Sequence, residues 1–503
     1  MHRTVSDTVA ELLAGGDASA PALAEPGGPG LTYGALRATI DDFARELRGR
    51  GIAAGDTVAL AVPNGLGIVA AFLGITRARA IAAPLNPAYT RDEFAFYLED
   101  IGPALLLVPP GAGAAAREAA AALGIPVADV TIAADGRVST GATPDGAELE
   151  PPCADDVALF LHTSGTTSRP KGVPLRHVNL CASADNIARW YRLTPQDVSL
   201  CVMPLFHIHG IVFSTLAFLG VGASVVVPPK FSASAFWPAV REYGATVVSA
   251  VPTIYRTLLL RADDDGAPHA WEHTLRFLRS SSSALPAAEF HKLEARFGVP
   301  VIEAYSMTEA AHQMCANPLD GERRAGSVGV GAHVEVAIMD DAGTLLPPHG
   351  EGEVVVRGRN VMRGYHNNPE ANAAAFTHGW FRTGDRGKLD ERGYLTLVGR
   401  IKELINRGGE KISPVEIDEV LAKHPGVVEA VTFALPDEKY GEDVAAAVIV
   451  CDGVTEGELA DHVRAHLAPF KVPKRFFLTD AIPKTATGKV QRRLVAAAFA
   501  PPG

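Results

Sequence analysis

Four short stretches of this sequence combine residue types that handle phosphate, magnesium or a sugar diol. The densest is Thr163-Ser164-Gly165-Thr166-Thr167-Ser168-Arg169-Pro170-Lys171-Gly172. Consecutive backbone N–H groups in a Gly-containing turn form an anion-binding concavity, hydroxyls add donors, and a lysine adds a mobile point charge suited to phosphate. The stretch does not follow the Walker A order; a polar surface loop is the competing reading. Tyr305-Ser306-Met307-Thr308-Glu309 follows an apolar run, so Thr308 and Glu309 fall at a strand end, where ligands gather in α/β sheets. The Glu309 carboxylate suits Mg²⁺, a hard cation that takes oxygen ligands beside phosphate. Tyr305 offers a ring to stack on a base, and Thr308 also fits a plain helix N-cap. Trp380-Phe381-Arg382-Thr383-Gly384-Asp385 ends in an acid after a tight turn; Asp385 can accept from a ribose diol, although Gly-Asp is common turn chemistry. Finally, Pro483 to Lys489 sets Lys489 on a Gly-containing loop. Its flexible stem can reach a neighbouring domain, and a solvated surface lysine is the plain alternative.

These groups need a scaffold, and the chain alternates strand and helix patterns that supply one. Thr57 to Val62 reads as a strand between helical patterns at Asp41 to Arg50 and Gly65 to Arg77, the βαβ rhythm of an α/β sheet. Val157 to Leu161 is a short buried strand leading into the phosphate loop. Ala223 to Val227, Thr246 to Val251, Leu275 to Arg279 and Val301 to Tyr305 are further strands, the third running into Ser280 to Ser283. Ile211 to Val227, the longest apolar stretch, is broken by Gly220 and Gly222 and reads as a buried helix and a strand rather than a membrane span. Glycines and short β runs at about 325–398 predict a small antiparallel β subdomain. Beyond Gly399-Arg400-Ile401-Lys402-Glu403, the last hundred or so residues are long enough for a small domain with its own helices and strands. The expected fold is α/β: a large N-terminal domain, residues 1–399, of mixed sheets plus a β subdomain, and a small mobile α+β domain, residues 400–503.

Composition narrows the function. The 503 residues are 47% hydrophobic and 20% charged, a globular composition. A net charge of −11 argues against general nucleic-acid binding. The five cysteines are scattered without a zinc spacing, which fits buried thiols in a reducing cytoplasm. The N-terminus shows no signal-peptide pattern. A monomer or a homodimer is expected.

Taken together and in order, the four stretches and the Gly399–Glu403 junction resemble the adenylate-forming acyl-CoA synthetase superfamily over nearly the whole chain. The resemblance implies ATP, Mg²⁺ and CoA as reactants and cofactor, and two half-reactions separated by a turn of the C-terminal domain. It implies that Thr163, Ser164, Gly165, Thr166, Thr167, Ser168 and Lys171 hold the β- and γ-phosphates, and that Thr308 and Glu309 act with Mg²⁺. Glu303, Ala304 and Tyr305 would border the adenine, and Asp385 and Arg400 the ribose. Lys489 would bridge ATP and the acid during adenylation, with Lys402 as the hinge. Gly408 and Gly409 would approach CoA, with Lys471 and Lys474 either near its phosphates or simply solvated.

A narrower resemblance is to oxalate–CoA ligases of plants and fungi. It rests on Ser168 where most of the superfamily has glycine, on Glu303 to Met314 with its histidine after the Thr-Glu pair, on Asn406 to Pro414, and on Phe470 to Arg475. A short dicarboxylate keeps one charge after adenylation, and that charge must be hydrogen-bonded where water is excluded. By resemblance His207, Ser282 and His312 meet it, with His207 also counted among the catalytic residues. His209 competes with His207, Ser281 and Ser283 compete with Ser282, and His207 is alternatively only a wall of the pocket. Malonate or a medium-chain fatty acid is the alternative acid, and a carrier-protein thiol the alternative acceptor. A non-catalytic nucleotide-binding or interaction protein is the alternative of another class.

Overall fold

The helix Leu66–Arg77 is apolar around its circumference, and every residue from Leu66 to Thr76 is buried. Such a helix needs cover on all sides. It receives it from the helix Tyr33–Gly49 and from strands Ile81–Pro84 and Val157–Thr163. Gly74 sets the approach: a Cβ there would come within 2.7 Å of the Phe43 ring. The computed structural model of the chain describes residues 6–163, 170–262, 273–485 and 489–499.

Two large sheets share the main apolar core. One has six strands in the spatial order Lys171–Arg176, Val157–Thr163, Ile81–Pro84, Thr57–Leu60, Leu105–Val108, Val127–Asp129. The other has nine, and its centre carries Ser224–Val226, Val198–Leu200, Val247–Ala250, Phe277–Ser280 and Val301–Met307, all parallel to their neighbours in this series. Parallel pairing buries both faces, and Phe277–Ser280 is buried at every position. The C-terminal ends of these strands therefore share one edge, where Ser280 opens into a loop and Met307 into the turn Thr308–Ala310.

The Ile211–Val227 stretch is the expected helix followed by a strand, with one difference. Its first part, His209–Leu216, is a wide π-helix, continued by Ala217–Leu219 and then by Ser224–Val226. Such turns are rare and recur at functional sites. Here the π-helix starts at a histidine.

The antiparallel β subdomain is present: Glu335–Met339, Glu351–Arg357 and Trp380–Leu389 pair in sequence, with Phe376–Thr377 and Leu395–Arg400 also on Trp380–Leu389. One local expectation fails here. Gly384-Asp385 is not a tight turn but lies inside the strand Trp380–Leu389. Gly384 adopts φ +74°, and the pairing with Glu351–Arg357 shifts register beside it. Partners on both sides hold the strand, so the glycine makes a β-bulge instead of a reversal.

After the single helical turn Ile401–Glu403 comes a second α+β unit. Ile405–Arg407, Glu410–Ile412, Gly441–Val450, Val427–Asp437 and Arg475–Leu478 form its sheet. Ile405, Ile417, Leu421, Val444 and Val448 build a core separate from the main one. The helix Glu456–His466 begins with a reciprocal cap between Thr455 and Glu458. This unit touches the N-terminal part through charges: Arg256 Nη1 lies 2.9 Å from Glu429 Oε1, while Arg256 also pairs with Glu289 at 2.6 Å and Lys484 with Glu429 at 2.8 Å. The Ser413 hydroxyl donates to the Val398 carbonyl.

All five cysteines are free thiols. Cys181, Cys201 and Cys315 are buried, and Cys153 and Cys451 are exposed. Among the described residues, no helix is long and apolar enough to cross a membrane.

Candidate active site

The strand Val157–Thr163 runs antiparallel to Lys171–Arg176 with Thr163 opposite Lys171. The two ends of the Gly/Ser/Thr stretch are thus pinned by a ladder. Ser164, Gly165, Thr166, Thr167 and Ser168 lie outside the described residues. Lys171 is the charged group at the rim. Its Nζ sits 4.4 Å from the centre of the Tyr365 ring, a cation–π contact. Burial lowers its affinity for a proton, Glu309 opposes that shift, and Lys402 adds to it.

Glu309 is next to it in space, although 138 positions separate the two in the sequence numbering. The strand Val301–Met307 ends, a single turn Thr308–Ala310 follows, and Glu309 is buried. Thr308 is not the N-cap; Met307 occupies that place without a side-chain cap, and Thr308 opens the turn itself. The Tyr365 hydroxyl donates to Glu309 Oε1 at 3.0 Å. Burial pushes the Glu309 carboxyl up, so a cation beside it would be welcome. Glu309 therefore fits magnesium by donor chemistry. Among the described residues, no group of three or more His, Cys, Asp and Glu side chains could hold a metal ion. A magnesium ion at Glu309 would draw its other oxygens from phosphate and water.

A second cluster lies beside the first. Asp385 is buried, accepts from the Tyr305 hydroxyl, and pairs with Arg400 Nε at 2.9 Å. The pairing follows from register, since Asp385 and Arg400 are opposite on adjacent strands. Asp385 holds the Arg400 guanidinium firmly protonated. Lys489 reaches this neighbourhood from the far end of the chain. Burial, then Arg400, lowers its proton affinity, while Asp385, Glu403 and Glu309 raise it. The loop that carries it is closed by Thr485 N–H to the Lys489 carbonyl, 2.9 Å, and Lys489 N–H to Thr485 Oγ1, 3.1 Å. So Lys171, Tyr305, Glu309, Asp385, Arg400 and Lys489 converge.

Behind Tyr305, Glu303 and Ala304 are buried on the same strand. The Ala304 carbonyl accepts from Ser281 Oγ at 3.1 Å. Glu303 Oε1 accepts from Leu285 N–H at 3.3 Å, and Oε2 has no partner. Burial pushes the Glu303 carboxyl up to about 8.

The acid-pocket candidates meet too, with added neighbours. Ser282, held at φ +71°, places Oγ 3.2 Å from His209 Nδ1, and His209 Nε2 lies 2.6 Å from Ser249 Oγ. His312, at φ +100°, is buried with both ring nitrogens unpartnered, and its ring lies 4.8 Å from that of His209. Backbone held in the left-handed region by non-glycine residues costs energy and clusters at functional sites. His207 is half-buried and its Nδ1 accepts from His209 N–H at 3.2 Å. Burial, then Lys489, lowers the His207 imidazole to about 4. The geometry thus separates the runs that sequence blurs: Ser281 bonds Ala304 and Ser306, while Ser282 faces His209.

Sequence reasoning missed Tyr365, Ser249, Gln313 and Arg279. Arg279 is fully buried under the histidines, with Nε to Tyr191 Oη at 3.0 Å and to Gln313 Oε1 at 3.2 Å, and Nη1 to Ser249 Oγ at 3.0 Å. No local signal in Leu275-Arg276-Phe277-Leu278-Arg279 marks it out, since Arg276 stands in the same run. The CoA candidates make their contacts inside the C-terminal unit instead. Gly408 N–H donates to the Tyr440 carbonyl, and Gly408 and Gly409 adopt φ +60° and +101°. Lys471 pairs with Glu416 at 2.6 Å and Lys474 with Asp437 at 2.6 Å. Lys402 is exposed in the turn Ile401–Glu403.

Comparison with known proteins gives concordant matches. The AMP-binding enzyme family matches residues 14–366, and the AMP-binding enzyme C-terminal domain matches residues 416–489. An oxalate–CoA ligase of Arabidopsis thaliana is 48% identical over 98% of this chain and 99% of its own. An oxalate–CoA ligase of Saccharomyces cerevisiae is 45% identical over 88% of this chain and 87% of its own. The ATP-bound crystal structure of MatB from Rhodopseudomonas palustris superposes with a TM-score of 0.89 at 32% identity, covering 98% of this chain and 99% of that one.

Proposed function

This chain belongs to the AMP-binding enzyme family and is an acid–CoA ligase using ATP, Mg²⁺ and CoA, and we propose that its acid is oxalate. One observation carries the choice: beside the hydrogen-bonded pair Ser282 and His209 lies His312, buried with both ring nitrogens unpartnered. Buried polar atoms without partners are expensive, and a compact acid bearing a second carboxylate would supply an acceptor for the one N–H of the neutral His312 ring. The relatives named as oxalate–CoA ligases support the same reading.

In the first half-reaction an oxalate oxygen attacks the α-phosphorus of ATP and pyrophosphate leaves. Two anions must approach, so the work of the site is positioning and charge neutralisation. Lys489 is the cation that joins the α-phosphate to the attacking carboxylate; its electrostatic coupling to Asp385, Glu309 and His207 supports that place. Lys171 and Thr163, with residues 164–168, hold the outer phosphates. Thr308 and Glu309 would hold the magnesium ion, which would supply positive charge to offset that of the phosphates. Asp385 and Arg400 take the ribose, and Glu303, Ala304 and Tyr305 wall the adenine. His207, Ser282 and His312 hold the second carboxylate. The low proton affinity of His207 favours a neutral ring, and because its Nδ1 accepts from the backbone, its Nε2–H is the donor.

In the second half-reaction the CoA thiol attacks the acyl carbon, its proton leaves, and AMP departs. Residues 400–503 turn about Lys402 between the two steps, withdrawing Lys489 and presenting Gly408 and Gly409. Lys471 and Lys474 then exchange carboxylate partners for CoA phosphates. The enzyme works as a monomer or homodimer in a reducing cytoplasm, which suits five cysteines that form no disulfide.

The test is a panel of acids with ATP, Mg²⁺ and CoA, read by pyrophosphate release and by mass spectrometry of the thioester. Oxalate should show the highest kcat/KM, above malonate, acetate and octanoate; a higher value for any of these refutes the assignment.

A further inference from the structure

We propose that Arg279 is a positioning residue that fixes the direction of a hydrogen-bond relay, Arg279 to Ser249 to His209 to Ser282, so that Ser282 presents its O–H to an anionic group of the acid. The inference rests on the reading of this pocket as the acid site, and it explains how a chain of ambiguous donors becomes a set of committed ones.

The starting point is a charge out of place. Arg279 lies at 0% exposure in a strand of the central parallel sheet. Its partners are neutral: a phenol, an amide and a hydroxyl, with the Phe213 ring 4.4 Å away. Among the described residues no carboxylate pairs with it, and its Nη2 has no hydrogen-bond partner. Other well-covered arginines here are neutralised: Arg256 by Glu289 and Glu429, Arg492 by Asp418. Burying an unpaired guanidinium is costly, so the compensating negative charge is expected from a ligand.

The relay follows from donor inventory alone. A guanidinium only donates, so Ser249 Oγ accepts from Nη1 at 3.0 Å. The Ser249 proton is then free to go to His209 Nε2 at 2.6 Å. With Nε2 accepting, a neutral His209 carries its proton on Nδ1 and donates to Ser282 Oγ at 3.2 Å. Ser282 is left with its own O–H to give, and it is the half-buried member of the chain, at the edge of the pocket. Every link points outward, from a fixed cation to the place where an anion would sit.

The relay works only if His209 stays neutral. Burial, then Arg279, then His207 keep its proton affinity well below the usual histidine range. The groups facing it are Arg279 on the strand Phe277–Ser280, His312 with its ring tilted against that of His209, and His207 two residues before it; Lys489 faces His207, and Tyr191 and Tyr255 face Arg279. No acid stands among these groups. The pocket thus carries positive charge in a form that does not titrate near neutrality, and the affinity for a doubly charged acid should be flat between about pH 6 and 8.

The experiment compares wild type, Arg279→Met, Arg279→Lys and Ser249→Ala in pyrophosphate release, with KM and kcat for oxalate and for ATP across that pH range. Arg279→Met should raise the KM for oxalate by about 10- to 100-fold, the range expected for losing a hydrogen-bonded charge, with little change in the KM for ATP. It should also introduce pH dependence: with the guanidinium gone, His209 protonates more readily, and the KM falls again toward pH 6. Arg279→Lys should keep the flat profile with a smaller rise. Ser249→Ala, which breaks the relay without removing the charge, keeps the question answerable if Arg279→Met does not fold; it should raise the KM for oxalate about 10-fold. An unchanged KM in both Arg279→Met and Ser249→Ala overturns the proposal, as does an equal rise at every pH in both Arg279 variants. If the wild type prefers malonate to oxalate, the oxalate reading fails and the same comparison is decided on malonate. A preference for a monocarboxylate refutes both.

Discussion

Glu429→Gln should weaken the adenylation half-reaction while sparing the thioester-forming one. Glu429 belongs to the C-terminal unit, and its carboxylate meets Arg256 of the N-terminal part at 2.9 Å. Both side chains are well covered, at 9% and 17% exposure, so solvent screens the pair less than it would a surface pair. The bare Coulomb term at this distance is about 6 kcal/mol with an effective dielectric of ~20. Desolvation cancels most of it, and Arg256 keeps Glu289 as an alternative partner. A net loss on the order of 1–2 kcal/mol is expected, which moves a two-state orientation equilibrium by about 5- to 30-fold. The orientation that loses is the one described here, with Lys489 beside Arg400 and Asp385. Adenylation should therefore fall by up to that factor in ATP–pyrophosphate exchange. Thioester formation from preformed acyl-adenylate should hold steady or rise. The double variant Arg256→Met with Glu429→Gln should cost less than the sum of the single ones. An unchanged exchange rate, or an equal fall in both half-reactions, would show that this ion pair is not what favours the adenylating orientation.

Three other substitutions probe separate parts of the site. Lys489→Ala should cut pyrophosphate exchange by about 10²- to 10³-fold, the loss typical of one transition-state donor, yet leave thioester formation from preformed adenylate intact; loss of both steps refutes the role. His312→Ala should raise the KM for the acid by about 10-fold or more with little effect on the KM for ATP, and an unaltered acid KM places His312 outside the pocket. Glu303→Gln tests stability. The Glu303 carboxyl is held up to about 8, above the ~4.3 of an unfolded glutamate. Between those values the folded state keeps a proton that the unfolded chain has released, so this residue's contribution to stability falls as pH rises. The glutamine variant should thus gain on wild type by on the order of 2–3 kcal/mol between pH 5 and pH 7, read from urea midpoints; a constant difference contradicts the raised value.

What could be read from the sequence, and what could not, follows the range of each interaction. Helix ends were legible where a side chain caps its own turn, as at Thr455 and Glu458. The strand and helix alternation was legible because burial of both sheet faces leaves continuous apolar runs such as Val247–Ala250. Gly384-Asp385 was misread because local turn chemistry looks the same whether or not strands pair on both sides. The residues proposed for ATP were legible as motifs, and Thr163, Lys171 and Glu309 do sit within two positions of a strand end. Arg279 was not: nothing local distinguishes a buried cation from a surface one, and its meaning comes from Ser249, Tyr191 and Gln313, which are distant in sequence. The surroundings of His209 likewise come from Ser249 and Ser282, far off in the sequence.

The distribution of thiols has a practical use. Burial pushes Cys181, Cys201 and Cys315 up, the second to about 12, so none of the three offers a thiolate at neutral pH. Cys153 and Cys451 are exposed, one on each side of Lys402. The unaltered chain therefore carries its own pair of attachment points for a fluorescent donor and acceptor. Dyes placed there would report the separation of the two units during turnover, without a single engineered cysteine.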